Sequence, residues 1–308
     1  MANEIRRGYF GGEYVIFSPA RKARPHAFRK PAEKSGFVCP FCPGNERMTP
    51  PSIKEIRDGS GWSMRLIPNK FPAVTNAMPF SQKKGFYGRM AASGMHEVII
   101  EHPSHGWKIQ DSQAAAAAVI RMYAARYSEL MAEKNIKYVQ IWRNYGKEGG
   151  ASVSHPHSQL IALPFLPPDI KCEVVSGSCA YCRIIKSEMK SERMVMKSRG
   201  FAAFVPYAAK APYETWIFPL KHKPTLAELS EKEVAGFADI LCRVLRAIEK
   251  ITGDTPYNYF IYQMPGKYHL SLRIMPVINI IAGFEKSTGI YINTLLPEDA
   301  AMEMRAAI

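Results

Sequence analysis

His155-Pro156-His157-Ser158-Gln159, entered through Gly149-Gly150-Ala151-Ser152 and followed by the apolar run Leu160 to Leu163, decides the reading of this chain. Glycines and small side chains mark the approach as a loop, and the apolar run marks residues 160–163 as part of a strand. In an extended segment alternate residues share a face, so His155, His157 and Gln159 are expected on one side. An imidazole can ligate a metal, carry a proton or act as a nucleophile, and an amide can hold a phosphoryl oxygen. The trio therefore suits transfer of a phosphorus group. Two solvated loop histidines would give the same short motif, and the surrounding chain has to separate the two readings.

The chain has 308 residues, 47% of them apolar, which is ample for a buried core and for two ordinary domains. No window is apolar for long enough to span a bilayer, and the opening Met-Ala-Asn-Glu-Ile-Arg-Arg lacks the apolar centre of a secretory signal, so a cytoplasmic protein without membrane contact is expected. The formal charge of +14 favours anionic partners such as nucleotides and sugar phosphates. It is scattered rather than gathered into a basic arm, which argues against a nucleic-acid partner. A zinc-stabilised nucleic-acid binder is still a competing class, suggested by cysteine pairs and positive charge, but finger modules gather their ligands within a few dozen residues.

Six cysteines in a reducing compartment read as metal ligands or buried thiols rather than a disulfide framework. Cys39-Pro40-Phe41-Cys42 and Cys179-Ala180-Tyr181-Cys182 are both C-x-x-C, a spacing that aims two thiolates at one ion. Cys172 has no such partner, and Cys242, within Ile240 to Leu245, reads as a core helix residue. Around these pairs the chain is written twice. After Cys39/Cys42 come a strand at His96–Glu101, His105, a helix over about 111–135, a strand at Tyr138–Arg143 and the H-x-H. After Cys179/Cys182 come a strand at Glu214–Pro219, His222, a helix over about 230–252, a strand at Tyr257–Gln263 and His269-Leu270-Ser271. From His105 to His155 is 50 residues and from His222 to His269 is 47, the mark of an internal duplication.

Two tetrahedral zinc sites are implied, one from Cys39, Cys42, His105 and His155, the other from Cys179, Cys182, His222 and His269. His96 and His102 are rival ligands in the first; His105 is preferred because, like His222, it falls just after a strand and a proline. Four protein ligands leave no open position for an activated water, so each zinc would fix geometry. In this alignment His157 matches Ser271 and Gln159 matches Arg273, so only the first repeat keeps a histidine beside its metal. Both helices carry apolar stripes, Val119, Met122, Tyr123 and Tyr127 in the first. The second starts on a Ser230/Glu233 capping box and stops at Gly253. Residues 1–165 and 166–308 are the expected halves, joined where Pro164, Pro167 and Pro168 interrupt regular structure.

Cys-Pro-Phe-Cys-Pro-Gly-Asn-Glu at 39–46, Ile-Pro-Asn-Lys-Phe-Pro at 67–72, Val-Gln-Ile-Trp-Arg-Asn at 139–144 and Ser-His-Pro-His-Ser-Gln at 154–159 resemble the galactose-1-phosphate uridylyltransferase family, a branch of the histidine-triad superfamily. The stretch from Gly12 to Pro25 and Gly283-Phe284-Glu285 resemble it too, so the likeness runs nearly end to end. The resemblance implies an α+β fold of two histidine-triad-like halves, each an antiparallel sheet with a long helix. It implies a ping-pong reaction in which His157 takes the nucleotidyl group from a nucleotide sugar and passes it to a second phosphate, with Gln159 on the phosphoryl oxygens. By the same resemblance, Asn69, Asn144 and Ser152 fall where the family contacts the nucleotide. Arg21 and Arg24 fall where a second subunit of a homodimer reaches into the site, and Phe284 and Glu285 where the hexose is held. Two departures bear on substrate: Ser154 and Ser158 stand where the family usually has proline and glycine, and residues 283–293 resemble the related ADP-glucose phosphorylases.

Overall fold

The computed structural model describes residues 3–7, 14–17, 38–77, 79–168, 170, 179–266 and 268–308; Arg21, Arg24 and Cys172 lie outside the described residues. In chain order the first strands are β1 (Glu4–Arg7), β2 (Tyr14–Phe17), β3 (Lys54–Asp58), β4 (Gly61–Pro68), β5 (Gln82–Lys83), β6 (Arg89–Ala91) and β7 (Met95–Ile100). Helix α1 (Gln113–Met131), β8 (Tyr138–Tyr145), β9 (His157–Leu163) and α2 (Ala180–Glu188) come next. The remainder is β10 (Met194–Ser198), β11 (Phe201–Phe204), β12 (Thr215–Pro219), α3 (Glu231–Thr252), β13 (Tyr257–Tyr262), β14 (Ser271–Pro276), α4 (Gly283–Thr288) and α5 (Pro297–Ala307). No described helix is long and apolar enough to cross a membrane.

Two compact units form, interleaved along the chain: one from residues 1–107, 129–141 and 152–173, the other from residues 108–128, 142–151 and 174–308. In the first unit β3, β4, β7 and β9 are consecutive antiparallel neighbours, with β8 beside β9, and a smaller sheet runs β2-β1-β6-β5. In the second unit the order is β10-β11-β12-β14-β13. Along the chain one plan runs twice: three strands in sequence order, a long helix, then two strands of which the later pairs with the third, although residues 108–128, with most of the first long helix, are grouped with the second unit. The fold is α+β and duplicated, as expected from the doubled landmarks. The register agrees as well, because Val98 faces Gln159 in β7/β9 and Trp216 faces Arg273 in β12/β14.

Burial of apolar stripes holds each long helix. Val119, Met122, Tyr123 and Tyr127 of α1 are buried, and on α3 Val234, Phe237, Ile240, Leu241, Val244, Leu245 and Ile248 are buried at helical spacing, with Phe237 stacked on Phe201 at 5.2 Å. Cys242 belongs to that face. At the start of α3 the Glu233 amide donates to Ser230 Oγ and the Ser230 amide donates to Glu233; at its end Gly253 takes φ +76. In the first unit Trp62, Ile67, Val98 and Ile100 form a small core against Phe41, the aromatic residue between the two cysteines.

Gly94, which precedes β7, shows how tightly β7 and β9 are set. It has φ +146, and a Cβ there would come within 2.2 Å of the Ala162 carbonyl oxygen. Gly94→Ala is expected to cost at least about 1–3 kcal/mol through backbone strain alone, read as a lower denaturation midpoint with an unchanged m-value. An unaltered midpoint would show that β7 and β9 can separate freely.

Candidate active site and metal groups

Cys39, Cys42, His105 and His155 converge in the first unit, and Cys179, Cys182, His222 and His269 in the second; within each group every ligand atom lies within 4.8 Å of every other. Cys42 Sγ is 3.4 Å from His105 Nδ1 and 3.5 Å from His155 Nδ1, and Cys182 Sγ is 3.5 Å from both His222 Nδ1 and His269 Nδ1. Zinc bonds of about 2.3 Å to sulfur and about 2.0–2.1 Å to nitrogen put S and N at tetrahedral corners about 3.5 Å apart, so the donors fit that ion.

The rings are aimed by their far nitrogens. His155 Nε2–H donates to the His102 carbonyl at 2.7 Å and His269 Nε2–H donates to the Pro219 carbonyl at 3.0 Å, leaving Nδ1 basic and facing the sulfurs. Burial pushes both rings down to about 4, so each is neutral near pH 7, as a ligand must be. The thiols go the other way: burial, then Cys39, raises Cys42, and burial, then Cys179, pushes Cys182 up to about 11. A cation would supply the charge that lets them ionise. Ser154 accepts from His105 Nε2–H at 2.8 Å, so the serine in the family's proline position orients a member of the first candidate metal group. The rival histidines are engaged elsewhere. His102 stacks on Trp107 at 4.9 Å and its Nδ1 accepts from the Ser104 amide; His96 Nε2 lies 3.1 Å from Gln159 Oε1.

β9 begins at His157, so alternation does not govern His155, which sits in the preceding turn. The expectation of three polar groups on one face is met by two: His157 and Gln159 line a cavity of about 390 Å³, while His155 joins the cysteines. His157 Nδ1–H donates to the His155 carbonyl at 2.9 Å. A carbonyl can only accept, so the proton is on Nδ1 and the ring lone pair is on Nε2. Phe41 packs edge-on against His157 with centroids 5.4 Å apart.

Asn69 and Ser152 line the same cavity. Asn69 Oδ1 accepts the Phe71 amide at 2.9 Å and its Nδ2 lies 3.4 Å from Gln159 Oε1, so it braces the wall as well as facing the space. Asn144 is in the second unit, donating to the Gly150 carbonyl and accepting from Asn258, which ties down the glycine turn. Phe284, half exposed, and Glu285, which accepts the Ala282 amide, sit on α4 of the second unit. At the positions matching His157 and Gln159, the second unit has Ser271 and Arg273; the Arg273 guanidinium lies 4.2 Å from the rings of both Trp216 and Tyr262 and donates to Tyr181 Oη at 2.7 Å. The motifs did not single out Phe41, Thr49 or Phe71 as cavity walls, although Phe41 stands inside the first C-x-x-C.

The family described as galactose-1-phosphate uridyl transferase, N-terminal domain, matches residues 2–167, and a domain of unknown function, DUF4921, matches residues 93–308. The ADP-glucose phosphorylase of Arabidopsis thaliana is 32% identical over 328 aligned residues, taking in 98% of this chain and 92% of that protein. The galactose-1-phosphate uridylyltransferase of Thermotoga maritima is 28% identical over 98% of each. Among solved structures, the A. thaliana ADP-glucose phosphorylase with bound ADP-glucose aligns at a TM-score of 0.76 with 30% identity over 99% of both chains. A uridylyltransferase aligns at 0.82 with 31% identity over 99% of this chain and 98% of that one. Likeness at this level over nearly the whole length, with a family match to more than half of it, makes the chain a member of the galactose-1-phosphate uridylyltransferase family.

Proposed function

We propose that the protein is a nucleotidyltransferase that moves UMP from UDP-glucose to galactose 1-phosphate through a covalent nucleotidyl-His157. The observation that carries this reading is the Nδ1–H bond of His157 to the His155 carbonyl, which leaves a basic Nε2 on the wall of a cavity large enough for a nucleotide. Nε2 attacks the α-phosphorus, the bond to the sugar phosphate oxygen breaks, and glucose 1-phosphate leaves with the electron pair. A phosphate oxygen of the second substrate then attacks the same phosphorus, breaking the P–N bond and restoring the imidazole. The Gln159 amide donates to a non-bridging oxygen as charge shifts. Cys39, Cys42, His105 and His155 would hold a zinc ion, which would anchor the turn that delivers His157.

A second reading keeps the nucleophile and changes the substrates: adenylyl transfer from ADP-glucose to inorganic phosphate. The 32% identity to an ADP-glucose phosphorylase and the resemblance of residues 283–293 to those enzymes favour it. Incubation with α-³²P-labelled UDP-glucose or ADP-glucose separates them by which gives acid-labile label on the protein; label from neither would end both. Gln159→Ala is expected to bind donor normally and to lose about a hundredfold in the rate of labelling, measured in a single turnover.

The proposal extends to a homodimer in the cytoplasm, with two zinc ions per chain and with Arg21 and Arg24 approaching the partner's site. Residues 1–165 and 166–308 are the sequence repeats, the second without chemistry of its own. Light scattering tests the dimer, and a monomer at working concentration would count against it. Spread of each ligand set across a whole unit supports the enzyme over a finger-type nucleic-acid binder.

A further inference from the structure

Gln159 can serve the phosphoryl group only if its NH₂, and not its carbonyl, faces the cavity. The two amide orientations are nearly the same shape, so packing does not choose between them. Hydrogen bonds do, and here they trace back to two backbone amides that can only donate. The Ala73 amide donates to His96 Nδ1 at 3.1 Å, which puts the His96 proton on Nε2; that nitrogen is 3.1 Å from Gln159 Oε1. The Phe71 amide donates to Asn69 Oδ1 at 2.9 Å, which turns the Asn69 NH₂ inward, 3.1 Å from His96 Nε2 and 3.4 Å from Gln159 Oε1; with Nε2 already protonated through the Ala73 contact, Oε1 is the acceptor for both donors. His96 and Gln159 are 5% and 7% exposed, so water competes little for these bonds.

We propose that His96 is a positioning residue for nucleotidyl transfer: by donating to Gln159 Oε1 it holds the amide with its NH₂ toward the phosphoryl group. This rests on the proposed role of Gln159 in phosphoryl transfer. The second unit supports it independently. By the shared register, Glu214 stands where the first unit has His96 and Arg273 where it has Gln159, and the Glu214 carboxylate is taken up by Trp216 Nε1–H and the Lys210 amide. An acceptor in place of the imidazole donor could not hold a glutamine carbonyl, and the repeat that lacks one member of the pair lacks the other.

The test is a double-mutant cycle on the single-turnover rate of label formation, run with whichever nucleotide sugar labels the wild type. His96→Leu is expected to slow labelling about tenfold to a hundredfold with the donor KM changed less than about threefold. His96→Gln, which can present its own NH₂ to Oε1, should recover most of the rate, while the shorter His96→Asn should not. That pair also decides the matter if the leucine variant folds poorly. Because His96 acts through Gln159, adding His96→Leu to Gln159→Ala should slow labelling no further. A wild-type rate for His96→Leu beside a slow Gln159→Ala would overturn the inference alone, as would fully multiplicative effects in the double variant. A wild-type rate for Gln159→Ala would remove the role of Gln159 as well.

Discussion

His157→Ala is expected to form no nucleotidyl-protein and to lose turnover by about 10⁴-fold or more, while keeping its fold and its full metal content. The argument is positional. His155 Nδ1 faces Cys42 and its Nε2 is committed to the His102 carbonyl, so it cannot substitute as nucleophile; His157 is no metal ligand, so its loss leaves the Cys39, Cys42, His105, His155 group intact. His157→Gly should behave alike, except that added imidazole could enter the vacated space beside Phe41 and restore some transfer. Acid-labile label, elemental analysis and circular dichroism on the same preparation separate the three quantities. Labelled His157→Ala protein would refute the assignment.

The other large effect is on stability. Binding of a structural zinc is worth about 10–16 kcal/mol in small zinc peptides, comparable with the whole stability of an ordinary domain, which is about 5–15 kcal/mol. Cys179→Ser removes one ligand from the second group, whose cysteines and histidines close loops of 40 and 87 residues to His222 and His269 from Cys182. We expect the variant to hold about one zinc per chain instead of two and to unfold about 10 °C or more below the wild type. The folded remainder should still label at close to the normal rate, because Ser271 and the caged Arg273 give the second unit no imidazole and no amide at the matching positions. A metal-free protein that melts at the wild-type temperature would refute a structural role for the ion.

The amino-acid sequence by itself determined the doubled plan of the chain and the make-up of its metal groups. C-x-x-C is a local spacing that aims two thiols at one point whatever surrounds it, and its recurrence in step with His105, His155, His222 and His269 needs no coordinates to be seen. The capping box at Ser230 and the stripe on α3 are local in the same sense. Orientation was not legible. Alternation counted from His155 failed because the strand starts two residues later, at His157. The pairing of His96 with Gln159 depends on the register of β7 against β9 and on a loop that brings the Phe71 and Ala73 amides back to them, contacts that span up to 90 residues of chain. The hydroxyl of Ser154 on His105 and the stacking of Arg273 between Trp216 and Tyr262 are likewise long-range. Residue types and short spacings state which atoms can bind or react; which way each hydrogen bond runs is set where separate strands and loops meet, and only the tertiary structure decides that.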